Sequence, residues 1–336
     1  MPDPIHSDSD LLEGLSEPAI IVSDRRVVAA NAAARRLFDS PLDDRRLDEV
    51  ISHPAALEAL ERGSDAVEDV ELTGLGGSRR HWLMRTAILG KRSRLIRFVD
   101  RSEARAAEQM RVDFVANASH ELRTPLATLI GYTETLREQG EEIDGGTRER
   151  FLAVVHDEAR RMQRVVEDLI SLSRIEAEKF TAPTDAVALD SLIDRALEAE
   201  RRAADERGTA LVRDIAHNLP RVAGDGGQIA QLLDNLLSNA LRYGDPGTPV
   251  TVSARAEGAM VHLSVKDEGD GIAPEHIARV TERFYRVDTS RSRSLGGTGL
   301  GLSIVKHIVE RHRGRLSIES ELGRGTTIHV VLPIAS

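Results

Sequence analysis

The middle of this chain constrains its fold most. Residues 101–137, RSEARAAEQMRVDFVANASHELRTPLATLIGYTETLR, carry helix formers and one breaker, Pro125, so they read as one long helix kinked about a turn beyond His120. Residues 139–146, QGEEIDGG, form a turn. A second long helix is expected from Thr147 to Ala177, because Phe151, Val154, Val155, Met162, Val165, Leu169 and Leu172 recur at steps of three and four. Two long helices joined by a short turn make an αα-hairpin. A lone hairpin cannot bury so wide an apolar stripe, so two copies are expected to pair as a four-helix bundle.

The flanks read differently. Residues 1–9 look like a disordered start, and residues 10–100 a small α+β domain. There, PAIIVSDRRVVAANAAARRLF reads as strand, turn, strand and then a helix capped by Asn31. SRRHWLMRTAILG and SRLIRFVD read as two hairpin-paired strands, with a helix near Pro54–Arg62 before them. Beyond the hairpin domain (101–178) lies a linker (179–186), then an α/β region (187–336). In that region helices are expected near 189–207, 227–242 and 300–312, and strands near 210–215, 249–256, 259–267, 314–319 and 326–333. The polar stretch YRVDTSRSRSLGGT (285–298) reads as a mobile loop. The fold class is multidomain α+β.

Bulk properties exclude several functions. A length of 336 residues suits two or three domains. A net charge of −10 argues against nucleic acid as the main partner, since phosphate-backbone binding needs a basic surface. With no cysteine, disulfides, thiolate chemistry, Cys-based zinc sites and a flavin–cysteinyl photosensor are all excluded. No run of 18 apolar residues supplies a transmembrane helix, and the acidic start MPDPIHSDSD is unlike a secretory signal. A cytoplasmic chain is expected, membrane-associated if membrane segments lie outside it.

Four strings carry chemistry. In SHELRTPL, His120 is followed by the carboxylate of Glu121, and Thr124 shares its helix face at i+4. Neutral imidazole is a competent nucleophile, and a neighbouring carboxylate can hold one ring nitrogen protonated. An isolated histidine of this kind would more simply be a solvated one. Asn235 and Asn239 sit at i, i+4 in LLDNLLSNALRY, and their amide oxygens are suitable hard ligands for Mg²⁺. Alone, they would read as surface amides. Asp267-Glu268-Gly269-Asp270-Gly271 follows an apolar strand, where a buried carboxylate could accept from an adenine amino group and glycines permit close approach. Gly297-Thr298-Gly299-Leu300-Gly301-Leu302 opens a helix and offers backbone N–H groups to phosphate. This is neither a dinucleotide-binding βαβ unit nor a Walker loop, because no GK[ST] is present.

Together the strings are specific. FVANASHELRTPL resembles, almost residue for residue, the phospho-acceptor motif of the sensor histidine kinases of two-component systems. The paired Asn, DxGxG, Phe284-Tyr285-Arg286 and GTGLGL follow in the order of that family's boxes, and the resemblance runs from about 103 to 334. It implies a hairpin dimerisation domain and the α/β-sandwich ATP-binding fold shared with gyrase-type and Hsp90-type ATPases. It implies His120 as phospho-acceptor, Glu121 as general base, and Thr124 as orienting a water for a phosphatase reaction. Asn239 would bind Mg²⁺, with Asn235 near the phosphates, Arg242 and Tyr243 lining the nucleotide, and Asp267, Gly269 and Gly271 receiving adenine. Phe284 would anchor the lid, and Gly297, Thr298, Gly299, Leu300 and Gly301 would shape the phosphate loop. Arg291 and Arg293 are candidates to reach the γ-phosphate, although a charge run is more often a solvated face. The DEGDG string departs from the Asn and Ile that the family often carries between the conserved positions, but keeps Asp267, Gly269 and Gly271.

The resemblance also implies ATP and Mg²⁺ as cofactors and a homodimer. With no receiver domain after the α/β region, the acceptor aspartate is expected on a separate response regulator. The N-terminal segment resembles a PAS sensor domain, in which His53 or His81 as a haem ligand is the lesser reading beside a satisfied histidine. The strings RVDFVANASHELRTPL and LISLSRIEAEKF look most like the phosphate-regulon branch of the family. A chaperone or topoisomerase ATPase of the same nucleotide fold has no reason to carry the His120 string. A non-catalytic scaffold has no reason to keep every residue the chemistry needs.

Overall fold

The computed structural model describes residues 11–62, 68–77, 80–89, 93–139, 142–178, 180–287 and 297–335. The expected disordered start at 1–9, Arg291, Arg293 and most of the expected 285–298 loop lie outside the described residues. The chain divides into two compact units, Met1–Asp113 and Phe114–Ser336.

In the first unit, β1 (Ala19–Ser23) and β2 (Arg26–Ala30) form a hairpin. Its two turn residues, Asp24 and Arg25, take φ of 48° and 65°, the left-handed pair that a tight hairpin matching strand twist requires. Helix α1 (Ala32–Phe38) starts at Asn31, as expected. Asn31 Oδ1 accepts from Ala34 N at 2.9 Å and Ala19 N at 3.1 Å, so one buried amide both caps the helix and ties it to β1. Short helices α2 (Leu47–Val50) and α3 (Pro54–Arg62) follow, then β3 (Glu68–Thr73), β4 (His81–Ile88) and β5 (Ser93–Asp100). The sheet order is β2-β1-β5-β4-β3, antiparallel throughout. Alternate residues Trp82 and Met84 of β4 and Ile96 and Phe98 of β5 face a core closed by Ala34, Leu42, Ile51 and Ala56. Strand β3 and helix α2 were not expected from the sequence. EDVELT offers apolar side chains only at Val70 and Leu72, and its charges suit the sheet edge that it occupies.

Helix α4 (Ser102–Glu138) carries the unit boundary, and the second unit begins at its Phe114. It continues as one helix through the buried Pro125. Helix α5 (Gly145–Ala177) returns beside it, started by Asp144, whose carboxylate accepts from Thr147 N at 2.9 Å. Tyr132 and Phe151 meet edge-on across the hairpin with ring centroids 4.9 Å apart. Leu126, Ile130, Leu152, Val166 and Ile170 remain exposed on the two helices.

The α/β part contains β6 (Ala186–Val187), α6 (Leu189–Arg207), β7 (Leu211–Ile215), β8 (Val222–Ala223) and α7 (Gly226–Tyr243). It continues with β9 (Val250–Glu257), β10 (Met260–Lys266), α8 (Pro274–Ile277), α9 (Gly301–Arg311), β11 (Arg315–Glu321) and β12 (Gly325–Pro333). The larger sheet runs β11-β12-β10-β9-β7, with β7 and β9 parallel and the other neighbours antiparallel. Ile193 and Leu197 of α6, Leu233 and Leu237 of α7 and Ile304 and Ile308 of α9 share one core with Val252, Leu263, Val265 and Val330 of the sheet. This is the expected α/β sandwich. Leu172 and Ile175 of α5 belong to the same core, so the end of the hairpin is built into the sandwich. Among the described residues no helix is long and apolar enough to cross a membrane.

Candidate functional site

The site is organised by α7. Its buried stripe, Ile229, Leu232, Leu233, Leu236, Leu237, Ala240 and Leu241, follows the helical period and fixes which residues face elsewhere. Asn235 and Asn239 lie one turn apart on a half-buried flank. Asn235 Nδ2 donates to Gln231 O at 3.0 Å. Its Oδ1 is directed at the start of α9, where a Cβ added to Gly301 would stand 2.7 Å from that oxygen and 3.7 Å from Asn239 Nδ2. The absence of a side chain at Gly301 therefore lets the helix N-terminus approach the paired amides.

The other boxes converge on the same helix. Gly299, at φ 72°, packs so tightly on Phe284 that an added Cβ would lie 2.9 Å from its Cα, and Phe284 N donates to Gly299 O at 2.8 Å. Phe284 itself takes a left-handed φ of 62°. At the other end of α7, a Cβ on Gly269 would fall 2.0 Å from Tyr243 O, so strand-end and helix-end backbones touch only because that residue is glycine. Asp267 is 8% exposed and accepts from Thr326 N at 3.2 Å. Burial pushes its carboxyl up to about 6, against the hydrogen bonds from Thr326 and Gly269 that favour ionisation. Burial likewise lowers Arg242, with Tyr243 and Glu200 acting in the opposite direction. Tyr243 is about half exposed.

The hairpin meets this site directly. Thr298 Oγ1 donates to Asp168 Oδ2 on α5 at 2.9 Å, and Ser171 Oγ donates to Gln231 Oε1 on α7 at 2.6 Å. Phe114 of α4 packs on Phe284 with centroids 5.9 Å apart, and the Arg283 guanidinium lies 5.3 Å from the Phe114 ring centre. Arg283 is also hydrogen-bonded to Glu176, and Arg311 Nη2 lies 2.6 Å from Glu178 Oε2.

His120 is exposed on α4, one turn before exposed Thr124, whose hydroxyl donates weakly to His120 O at 3.4 Å. Glu121 is half-buried. Its Oε2 accepts from Arg161 Nη2 of α5 at 3.1 Å, and Arg286 Nη1 lies 4.0 Å from the same oxygen. Arg286 thus links the nucleotide boxes to the acceptor helix. Sequence reasoning missed Arg161, Asp168 and Glu176. One signal was available: Arg161, Val165, Asp168, Leu172 and Ile175 follow a four-three-four-three spacing, so the two charged residues interrupt an otherwise buried stripe.

Among the described residues no three His, Cys, Asp or Glu side chains gather as a metal centre. The side-chain amides of Asn235 and Asn239, beside Gly301, are hard oxygen donors of the kind that fits Mg²⁺ held jointly with a ligand's oxygens rather than by an all-protein cage.

Comparison with known proteins agrees with this geometry. Residues 110–178 match the model of the His Kinase A (phospho-acceptor) domain, and residues 224–336 that of the histidine kinase-, DNA gyrase B- and HSP90-like ATPase. The phosphate regulon sensor protein PhoR of Pseudomonas aeruginosa is 36% identical over 300 residues, which cover 88% of this chain and 67% of PhoR. The chain belongs to the two-component sensor histidine kinases.

The sensor protein SrrB of Staphylococcus aureus is 38% identical to this sensor kinase over 250 residues, which cover 73% of the chain and 42% of SrrB. The chain therefore spans about two thirds of one curated relative and less than half of the other. Among solved structures, full-length ShkA in complex with AMPPNP is 28% identical with a TM-score of 0.50, covering 68% of this chain and 46% of ShkA. ThkA in complex with the response regulator protein TrrA aligns over 97% of this chain and 98% of that one with a TM-score of 0.54, and at 19% identity it shares the fold.

Proposed function

We propose that this sensor histidine kinase binds ATP in the α/β sandwich, transfers the γ-phosphoryl group to His120, and passes it to an aspartate of a separate response regulator. The observation that supports the reading is the approach of Gly301 to Asn235 and Asn239, which brings two distant strings together. Asp267 would accept from the adenine amino group, Gly269 and Gly271 would admit the base, and Arg242 and Tyr243 would flank it. Asn239, with Asn235 beside it, would hold Mg²⁺, which when bound neutralises phosphate charge. Thr298 through Gly301 would present backbone N–H groups to the phosphates.

In the transfer itself, an imidazole nitrogen of His120 forms the N–P bond as the bond from the γ-phosphorus to the bridging oxygen breaks and ADP leaves. Glu121 accepts hydrogen bonding from the other ring N–H and stabilises the charge that develops there. The sandwich would swing on the 176–186 linker to bring the γ-phosphate in line with His120. Thr124, one turn from His120, would orient a water for hydrolysis of the regulator's acyl phosphate. The exposed Leu126, Ile130, Leu152, Val166 and Ile170 support pairing of two hairpins as a four-helix bundle.

The N-terminal unit is read as a PAS-like sensor, supported by its five-stranded antiparallel sheet with helices packed on one core. The working domain limits are 10–100, 101–178, 179–186 and 187–336. Likeness to PhoR supports a place in phosphate-responsive signalling.

The test is transfer from γ-labelled ATP to the purified protein, with His120→Gln and Asn239→Ala beside the wild type. Acid-labile, alkali-stable label on the wild type alone is the expected result. Label that survives His120→Gln would place the acceptor elsewhere.

A further inference from the structure

Arg161 lies on the buried stripe of α5, where the spacing calls for an apolar residue, and its side chain is 11% exposed. A guanidinium held away from water needs compensating partners. Arg161 Nη2 donates to Glu121 Oε2 at 3.1 Å, across the hairpin, and Nη1 lies 3.8 Å from Glu158 Oε2 on its own helix. Arg286, with its side chain 7% exposed, comes from beside the lid residue Phe284 and reaches the same Glu121 oxygen at 4.0 Å.

We propose that Arg161 is a positioning residue for phosphoryl transfer: it fixes the Glu121 carboxylate beside His120, and Arg286 joins it when the nucleotide domain docks. The inference rests on the kinase reading above. Residues i and i+1 of a helix do not face each other, so Glu121 is not brought to the His120 ring by sequence adjacency alone. Its long side chain must be held in one rotamer out of several. Arg161 supplies the hold from the opposite helix. Both cations engage Oε2, which leaves Oε1 as the oxygen available to an imidazole N–H. Glu158 Oε2, 3.8 Å from Nη1 on the same helix, offsets part of the Arg161 charge. Lysine would keep the charge but not the planar fork that sets direction.

A purely architectural Arg161 would only set the register of the two helices. The two roles separate in a double-mutant cycle of Arg161→Met and Glu121→Gln in the full chain. Dimeric state and circular dichroism report folding, and labelling rates across a range of Mg-ATP concentrations give kcat separately from KM. If Arg161 acts through Glu121, Arg161→Met lowers kcat about tenfold or more, short of the roughly 100-fold or greater loss expected on removing a general base. KM for ATP stays within about threefold, and Arg161→Met causes no further loss in the Glu121→Gln background. Wild-type kcat in Arg161→Met overturns the proposal, as does an equal loss in both backgrounds. Should Arg161→Met fail to fold, Arg161→Lys is read by the same cycle and the same two outcomes. No label on the wild type overturns the kinase reading and this inference with it; label on the wild type with an additive cycle overturns this inference alone.

Discussion

Thr298, just before helix α9, donates to Asp168 of the hairpin across 2.9 Å. The same hydroxyl accepts from Leu300 N at 3.2 Å, so it also engages one of the loop amides that a phosphate would use. Burial pushes the Asp168 carboxyl up, against the Thr298 hydrogen bond and the nearby Arg164 and Arg242, which favour its ionised form. If this loop receives phosphate as proposed, docking of the hairpin and binding of a nucleotide phosphate compete for it. Asp168→Ala is expected to tighten binding of a non-hydrolysable ATP analogue about fivefold, roughly 1 kcal/mol, and to raise the initial rate of autophosphorylation. Calorimetric titration of both proteins checks this; weaker binding by the variant would show that Asp168 supports the loop rather than competing for it.

Two glycines should separate fold from binding. A Cβ on Gly269 meets the backbone oxygen of Tyr243 at 2.0 Å, and neither chain segment can yield without moving α7 or the end of β10. Gly269→Ala should destabilise the second unit by about 1–3 kcal/mol and lower its Tm by several degrees. A Cβ on Gly301 meets only side-chain ends, Asn235 Oδ1 at 2.7 Å and Asn239 Nδ2 at 3.7 Å. Gly301→Ala should keep nearly the wild-type Tm while weakening nucleotide binding about tenfold. Thermal melts with and without ADP distinguish the two; equal loss of Tm in both variants would count against this division.

The hairpin was legible because helical periodicity persists through α4 and α5 and only a turn separates them. The ATPase domain was legible because its short strings occur in the family's order along the chain. Strand β3 was not legible, since EDVELT at a sheet edge has no apolar run to announce it. The two-residue strands β6 and β8 owe their form to pairing across the fold rather than to local preference. Arg161 and Asp168 were hidden for another reason. Charged residues on a helix normally mark its solvated face, and their partners lie 40 and 130 residues away. The spacing places them on the buried stripe, but only the tertiary contacts show which partners they meet there.

His312 gives the second unit an acid-sensitive joint. It is 1% exposed; Nδ1 donates to Ile308 O at 2.8 Å, so Nε2 is the acceptor for Asp225 N at 3.0 Å, at the start of α7. Burial lowers the pKa of this ring, against the Ile308 contact, and Arg311 nearby acts in the same direction as burial. The neutral ring is the one that fits. Its stabilisation is present above the unfolded value of about 6.5 and is lost as pH falls from there toward the lower folded value. His312→Gln retains an acceptor but does not titrate. The stability advantage of the wild type over this variant should therefore shrink between pH 8 and pH 5, measured by urea unfolding. A difference that stays constant with pH would remove His312 as the cause.

Asp267 titrates with the opposite sign. Its carboxyl is raised to about 6 by burial, so ionising it above that pH weakens the ligand-free fold, and its stabilising effect is lost as pH rises through about 6. An adenine amino group donating to the carboxylate would compensate, because it favours the ionised form. Asp267→Asn is therefore expected to stabilise the ligand-free protein at pH 7.5 by about 1–3 kcal/mol while weakening ADP binding at least tenfold. In the wild type, the Kd for ADP should rise as pH falls through about 6, by up to about tenfold per pH unit. In Asp267→Asn it should change only as the titration of ADP itself requires. Calorimetry at pH 5.0, 6.0 and 7.5 on both proteins separates the ligand's titration from that of the carboxylate. Parallel pH profiles for the two proteins would mean that Asp267 does not receive the base.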